Sequence, residues 1–514
     1  MKTWMHHITK AAIAALVLMG ALFVQPAQGQ GLNNLWMGGY LFSGPPPPEW
    51  SGLDGGVDMH FSSETLEVST TDRLLSYFRT NANMTSASGG LLLSSNGASV
   101  GNAMGNTMLN GSGLNPSWYT SQYPRGLHLT QANLILPWPD HAGKYFLLHG
   151  TIDDQVNNTM NRLYYTVVDT ALDGGLGGVV EKNTVLFEDT LVIGRLAAVR
   201  HANGRDWWVL CHKAFSDLYY RLLVSPQGVS VDGMQAIGRM RNQANGQSCF
   251  SPDGTKYAYY RGGPSGLEVF HFDRCTGLLS DPVFAEVPYI ILGGIGMAFS
   301  PSGRMVYTTT FGSVYQLDTE APDLQASMVH LADWDSTYSP FPPFATMFDM
   351  AQLAPDGKIY ISTGNSTFRL HVIHNPDEPG LACNLEQHGV ELPRLYMNSL
   401  PNHPNYHLGA LSGSVCDSLG LSTLTPGPSP KERGGVRAYP NPSDGRFVLG
   451  YPAHAGVGWL EVRDLAGRVV LRERIPQWST IHEVALEGQA AGMYHCSLRW
   501  GMETMATRIV IAAP

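Results

Sequence analysis

Charge is scarce in this sequence and never gathered into a block. Only 14% of the 514 residues are Asp, Glu, Lys or Arg, and the formal net charge is -10. No run of lysines or arginines could track a phosphate backbone, which argues against nucleic acid as a partner. Long Ala-, Glu- and Lys-rich helical patterns are missing, and beyond the first thirty residues no apolar run is long enough to span a bilayer. The six cysteines form no CxxC and have no zinc-site spacing. EF-hand loops, phosphate-binding glycine loops and dinucleotide fingerprints are also absent, so no metal or cofactor is expected. What the chain has instead is turn chemistry. Its 57 glycines and 33 prolines suit many short strands, an all-β chain.

The N-terminus reads as a signal peptide over residues 1–29. Lys2 and Lys10 precede the apolar run Ala11 to Val24, and Ala27-Gln28-Gly29 supplies small residues for cleavage. The mature chain is then expected near Gln30, exported, with no further transmembrane segment. Export permits disulfides. Spacing leaves the pairing open; Cys383 and Cys416 are the expected bridge, because both fall near the end of the repeat region where closure needs support.

The repeats are clearest at FSPDGTKYAYY (Phe250 to Tyr260), AFSPSGRMVYTTT (Ala298 to Thr310) and QLAPDGKIYISTG (Gln352 to Gly364). In each, a short apolar strand meets a Pro-Asp-Gly or Pro-Ser-Gly turn and continues as an alternating aromatic or β-branched strand. Proline pre-sets φ, Asp or Ser bonds the local backbone and glycine takes the left-handed conformation. Degenerate copies extend the series to Gly90, Gly143, Gly204, Gly254, Gly303 and Gly357, about 50 to 60 residues apart. A second strand follows most of them, as in RLYYTVVD, GLEVFHFD, GSVYQLD and FRLHVIHN. Four-stranded sheets of this kind cover both faces only by stacking around an axis. Residues 30–420 are therefore read as a β-propeller of six blades, or seven if the N-terminal strand and the tail build another. Residues 421–436 form a Pro-, Gly- and Ser-rich linker. Residues 437–514 alternate in short strands like a small Ig-like β-sandwich.

This last region carries a specific resemblance. Tyr439-Pro440-Asn441-Pro442, then Asp464 with Gly467-Arg468, then Gly492 with Tyr494 are similar, in order and spacing, to the C-terminal type A sorting domain of the type IX secretion system. The resemblance implies a Bacteroidota cell, passage through the periplasm and transfer by the type IX machinery to the cell surface or medium. In physical terms, Pro440 and Pro442 start the domain extended, Gly467 turns a hairpin and Gly492 lets the last strands approach. The preceding region, through stretches such as LWMGGY, HFDRCTGLLSDP and SLPNHPNYHLGALSGSVCDSLG, resembles propeller cargo of such bacteria with YVTN- or WD-type blades. That implies a fold and no activity.

Candidate chemistry is thin. Gly97-Ala98-Ser99-Val100-Gly101 satisfies a nucleophile-elbow pattern, but glycine- and Asn-rich text follows where a helix is needed, so it reads as a loop between strands. His371 and His374 sit three apart on a strand and face opposite ways, whereas His403 and His407 share a loop and lack a third ligand. Asp253, Asp273 and Asp356 read as turn residues. Of the pairs Trp207-Trp208, Tyr219-Tyr220 and Tyr259-Tyr260, one member each is expected to fill an inter-blade layer, with a glycan platform as the other use. The reading is a monomeric, exported, non-catalytic binding protein for a surface polysaccharide, other glycan or protein ligand. The alternative is an extracellular lactonase-like hydrolase with its site at the central channel.

Overall fold

The computed structural model describes residues 32–62, 65–241, 246–261, 266–288, 296–339, 343–417 and most of 436–512. The expected signal peptide, nearly all of the linker, and Pro440 and Pro442 lie outside the described residues. The chain divides into two compact units, Met1–Gly420 and Leu421–Pro514. Among the described residues no helix is long and apolar enough to cross a membrane.

The first unit is a β-propeller with seven blades. Blades 4 to 7 are four-stranded antiparallel meanders, for example Ala197–Arg200, Trp207–His212, Ser216–Ser225 and Gly228–Arg241 in blade 4. Blades 2 and 3 have the same form, and their outer strands meet where Gly178 pairs in parallel with Leu109. The expected hairpins close the two inner strands of these six blades. Gly254, Gly303 and Gly357 have φ of +74°, +72° and +79°. In blade 2 the left-handed glycine is Gly89, at +87°, and not Gly90. Asp253, as predicted, accepts from Thr255 N at 3.1 Å, and Asp356 accepts from Lys358 N at 3.1 Å. Asp273 does the same for Cys275 N, at 2.8 Å.

Blade 1 lacks that hairpin, which is why the repeat pattern counts six. It comprises Leu35–Tyr40, Gly55–Phe61 and Leu66–Thr71. Its inner position is taken by the segment that follows the last strand of blade 7, Leu385–Met397. Asn398 bonds Asp349 of blade 7, Asn402 N donates to Asn81 O at 2.9 Å, and His403 Nε2 lies 2.9 Å from Asn83 O. The two ends of the unit thus build one blade together and close the ring.

Apolar clusters fill the spaces between blades, and adjacent aromatics point to opposite faces of their sheet because strand side chains alternate. Trp207 and Tyr220 belong to the layer toward blade 3, and Trp208 and Tyr219 to the layer toward blade 5. Tyr259 faces blade 4 and Tyr260 faces blade 6. All six are buried, at 8% exposure or less, so both members of each pair are packing residues. The same register keeps them off any surface platform.

The bridge is Cys275–Cys416, with Cα atoms 5.5 Å apart, and not Cys383–Cys416. Cys416 lies beyond the axial segment, beside the blade 5 turn that carries Cys275. Cys383 is a free, buried cysteine closing the short turn Gly380–Cys383 beside blade 6.

The second unit packs a three-stranded sheet and a four-stranded sheet around Leu449, Leu460, Val462, Val484, Leu498 and neighbouring apolar side chains. Gly467, at φ +81°, turns the hairpin between Gly458–Arg463 and Val469–Ile475, and Asp464 Oδ1 accepts from Arg468 N at 3.0 Å. Tyr494 is buried, its hydroxyl donating to Ala490 O at 2.7 Å. Asn441 binds the last strand from both ends of its amide, giving to Arg508 O at 2.9 Å and receiving from Val510 N at 2.9 Å. Gly492 does not serve close approach, since a Cβ there would meet nothing within 4 Å.

Asn402 is the test of ring closure. Its amide donates to Asn133 O at 2.9 Å and to Leu196 O at 2.8 Å, so Asn402→Leu would leave two buried carbonyls unpaired. A loss of roughly 2 kcal/mol or more is expected in urea unfolding of the mature protein, given about 1–3 kcal/mol per orphaned buried group. An unchanged unfolding midpoint would contradict the closure.

Candidate functional site

The axis of the propeller is closed by amides. Gln131 holds Ser248 of blade 5 through both backbone groups, each at 2.8 Å, and donates to Asn402 Oδ1 at 3.3 Å. Gln247 accepts from Met297 N of blade 6 at 3.0 Å and from Ala351 N of blade 7 at 2.9 Å. The two ends of the channel are therefore separate sites. One is ringed by the inner-strand hairpins, and the other is bordered by the loops that lead into the inner strands of blades 2 to 4.

At the hairpin end lies a cavity of about 260 Å³. Its walls are the last residues of the inner strands, among them Val199, Phe250, Phe299 and Leu353, with the axial segment from Asn402 to His407 on one side. Neither Asp, Glu, Lys nor Arg is among its lining residues. Cys249 belongs to the wall; burial pushes its thiol up to about 12, so it is not a thiolate. His403 and His407 both line this cavity but bond separately, His403 to Asn83 and His407 Nε2 to Asn33 Oδ1 at 3.3 Å. Burial lowers His403 to about 4.

The other histidine pair is divided as predicted. His371 is buried, 2.9 Å from Thr346 O, and burial pulls it down to about 3. His374 sits on the outside, 2.7 Å from Glu386. Ser99 opens the short strand Ser99–Gly101 in place of the expected loop, and Asn96 Oδ1 accepts from Ala98 N and Ser99 N, at 3.0 and 2.9 Å. A strand-to-helix elbow is not formed there. Among the described residues no group of three or more His, Cys, Asp or Glu side chains is placed to hold a metal ion.

The loop end carries what the sequence reading missed. Eight rings form a continuous run over the loops of blades 1 to 3: Trp50, Phe42, Tyr40, Phe78, His128, Tyr123, Tyr119 and Trp118. Successive centroids are 5.8, 6.0, 5.3, 4.5, 4.8, 4.7 and 5.5 Å apart. Tyr40 is buried, Tyr123 is 39% exposed and the other six are half-buried. Three loops far apart in sequence are tied into one surface by polar contacts beneath it. Asn96 donates to Ser76 O and Arg125 O, both at 3.0 Å. Arg125 reaches Leu41 O at 2.6 Å, and Leu41 N donates to Ser76 Oγ at 3.1 Å. Gly126, at φ +144°, lies under Phe78, whose ring a Cβ would meet at 3.0 Å. Ser117 caps the turn of helix Trp118–Gln122 by accepting from Thr120 N at 3.1 Å. Beside the run, Arg79 pairs with the fully buried Asp349 at 2.7 Å. Burial raises the Asp349 pKa against the opposing pull of Arg79, and burial followed by Arg79 lowers that of His128. The signal for this surface was faint: single aromatics scattered through Pro- and Ser-rich loop text.

No curated protein sequence matches the chain. Among solved structures, a protein from Lactobacillus plantarum is similar over 72% of this chain and 99% of its own, at 14% identity and a TM-score of 0.44. A candidate 6-phosphogluconolactonase from Bacteroides fragilis covers 73% of this chain and 99% of its own, at 12% identity and a TM-score of 0.43. The periplasmic gluconolactonase of Pseudomonas aeruginosa covers 88% and 99%, at 14% and 0.34. Residues 437–512 match the secretion-system C-terminal sorting domain. Deleting 437–512 is expected to leave the protein in the periplasm of its native host by cell fractionation; surface or culture-medium protein after that deletion would contradict the assignment. The chain is thus a β-propeller protein that ends in a type IX sorting domain and is exported to the cell surface or extracellular space.

Proposed function

We propose that the propeller is a non-catalytic binding protein whose ligand is a polysaccharide outside the cell, held on the aromatic run at the loop end. The observation that carries this reading is the continuity of the eight rings. Sugar rings offer C–H faces that stack on aromatic π-faces, and rigid rings lose little conformational freedom when they bind. Supporting loops already tied together by Asn96 and Arg125 lower the cost of ordering further. A run spanning three blades suits an extended chain better than a single sugar.

A lactonase-like hydrolase working through a carboxylate would need one free to act at a channel mouth. Asp349 is engaged by Arg79 and Asn398, and carboxylates are absent from the cavity lining at the hairpin end. These facts favour binding. On a glycan array and in affinity gels containing polysaccharide from the native host, the mature protein should bind. Phe78→Ala and Tyr123→Ala should each weaken that binding at least about tenfold, since truncating a central aromatic anchor typically costs about 2 kcal/mol. Silence on every glycan, or full binding by both variants, would refute the reading.

A further inference from the structure

We propose that the outer face of the four-stranded sheet in the sorting domain is a binding site for an acidic polysaccharide, a sugar chain carrying repeated anionic groups. The sequence spreads its charge thinly, yet residues 437–512 contain no lysine and this one face collects five of their eight arginines. Alternation along the strands puts them there. Leu460, Val462 and Leu498 point into the core, so Trp459, Glu461 and Arg463 on the strand Gly458–Arg463 point outward. Across from Trp459 stand Arg474 on one neighbouring strand and Arg499 on the other. Arg472 lies opposite Glu461, and Arg508 lies opposite His495, which itself pairs with Arg463.

Two features select the ligand. The first is unbalanced charge. Glu461 is the one carboxylate among these residues and is already engaged, accepting from Arg463 at 2.7 Å with Arg472 at 3.6 Å. The Arg463 hydrogen bond, with Arg472 and Arg499 nearby, holds its carboxyl below the usual range. Among the described residues Arg474, Arg499 and Arg508 form no ion pair. Strand spacing and rise put neighbouring members of that trio about 10 to 14 Å apart, which suits repeated anions better than a single ion. Each guanidinium fork matches a pair of carboxylate or phosphate oxygens. The second feature is a ring. Trp459 is 48% exposed amid these cations, with the Arg472 guanidinium 5.4 Å from its centroid. A sugar presents a C–H face that stacks on such an indole. A protein partner would call for an apolar patch at the centre of the interface. Trp459 has only arginines across the sheet, and the positions level with Glu461 are Ser497 and Ala506. None of these residues belongs to the propeller, so this site and the aromatic run can fail separately.

Titration calorimetry with polygalacturonate, neutral dextran and poly-glutamate tests the assignment. The protein used retains residues 437–512 and carries Phe78→Ala, which weakens any contribution from the loop end. Polygalacturonate should bind, less tightly as salt is raised, and dextran should not. Poly-glutamate, with the same carboxylates but no sugar face, should bind at least about tenfold more weakly. Replacing both Arg474 and Arg499 by Gln should weaken polygalacturonate binding at least about tenfold, through the loss of two charge-assisted contacts. Trp459→Lys adds a cation, so attraction by charge alone would grow, whereas loss of stacking should weaken binding. These side chains are exposed, and an unchanged thermal midpoint would show that each variant keeps its fold. Absence of polygalacturonate binding, equal affinity for dextran, or undiminished binding by Trp459→Lys would each overturn the proposal. Equal affinity for poly-glutamate would overturn it too, in favour of an acidic protein.

Discussion

Three amide side chains at the axis hold the ring together. Asn402 reaches blades 2, 3 and 4 through its backbone and its amide. Gln131 carries the connection to blade 5, and Gln247 continues from there to blades 6 and 7. Blade-to-blade packing is largely apolar, with directional contacts such as the buried Arg241–Glu268 pair between blades 4 and 5, and the axial bonds add to these. An amide suits the position because it gives and accepts at once, and strand edges facing a narrow axis present both carbonyl and N–H groups. The ring depends on Asn402 more than on the other two, because its segment is the last of the unit to be made and completes the first blade. The Cys275–Cys416 bridge then fixes the end of that segment to blade 5.

That plug also decides where a ligand can sit. With the middle of the channel filled, no molecule spans from one face to the other, and each end has its own chemistry. The loop end offers a broad, half-buried aromatic surface beside an ion pair. The hairpin end offers a cavity whose lining carries no fixed charge.

Much of the scaffold was legible because its signals are local. A Pro-Asp-Gly turn states its conformation within four residues, and the hairpins at Gly254, Gly303 and Gly357 follow from it. Blade 1 was legible only as the seventh-blade alternative, because its inner position is filled from the far end of the unit, by residues with no strand signature. The disulfide escaped for a related reason: which cysteine meets Cys416 depends on where the axial segment leaves the ring. Among site residues, one unspecified member of each adjacent aromatic pair was expected to pack, yet alternation in strands stacked on both sides buries both, as at Trp207-Trp208 and Tyr259-Tyr260. Trp50, Phe78 and Tyr123 were passed over as isolated loop residues. Their contact is made by Asn96 and Arg125, across distances that no spacing rule reports.

Hydrogen exchange followed by mass spectrometry tests most directly whether the loop end of the propeller is where a polysaccharide binds. With saturating surface polysaccharide from the native host, amides in residues 41–54, 76–80 and 118–128 should exchange more slowly, while those around Phe250 and Phe299 should not change. Protection confined to the hairpin end, or none in those three loops, would contradict it.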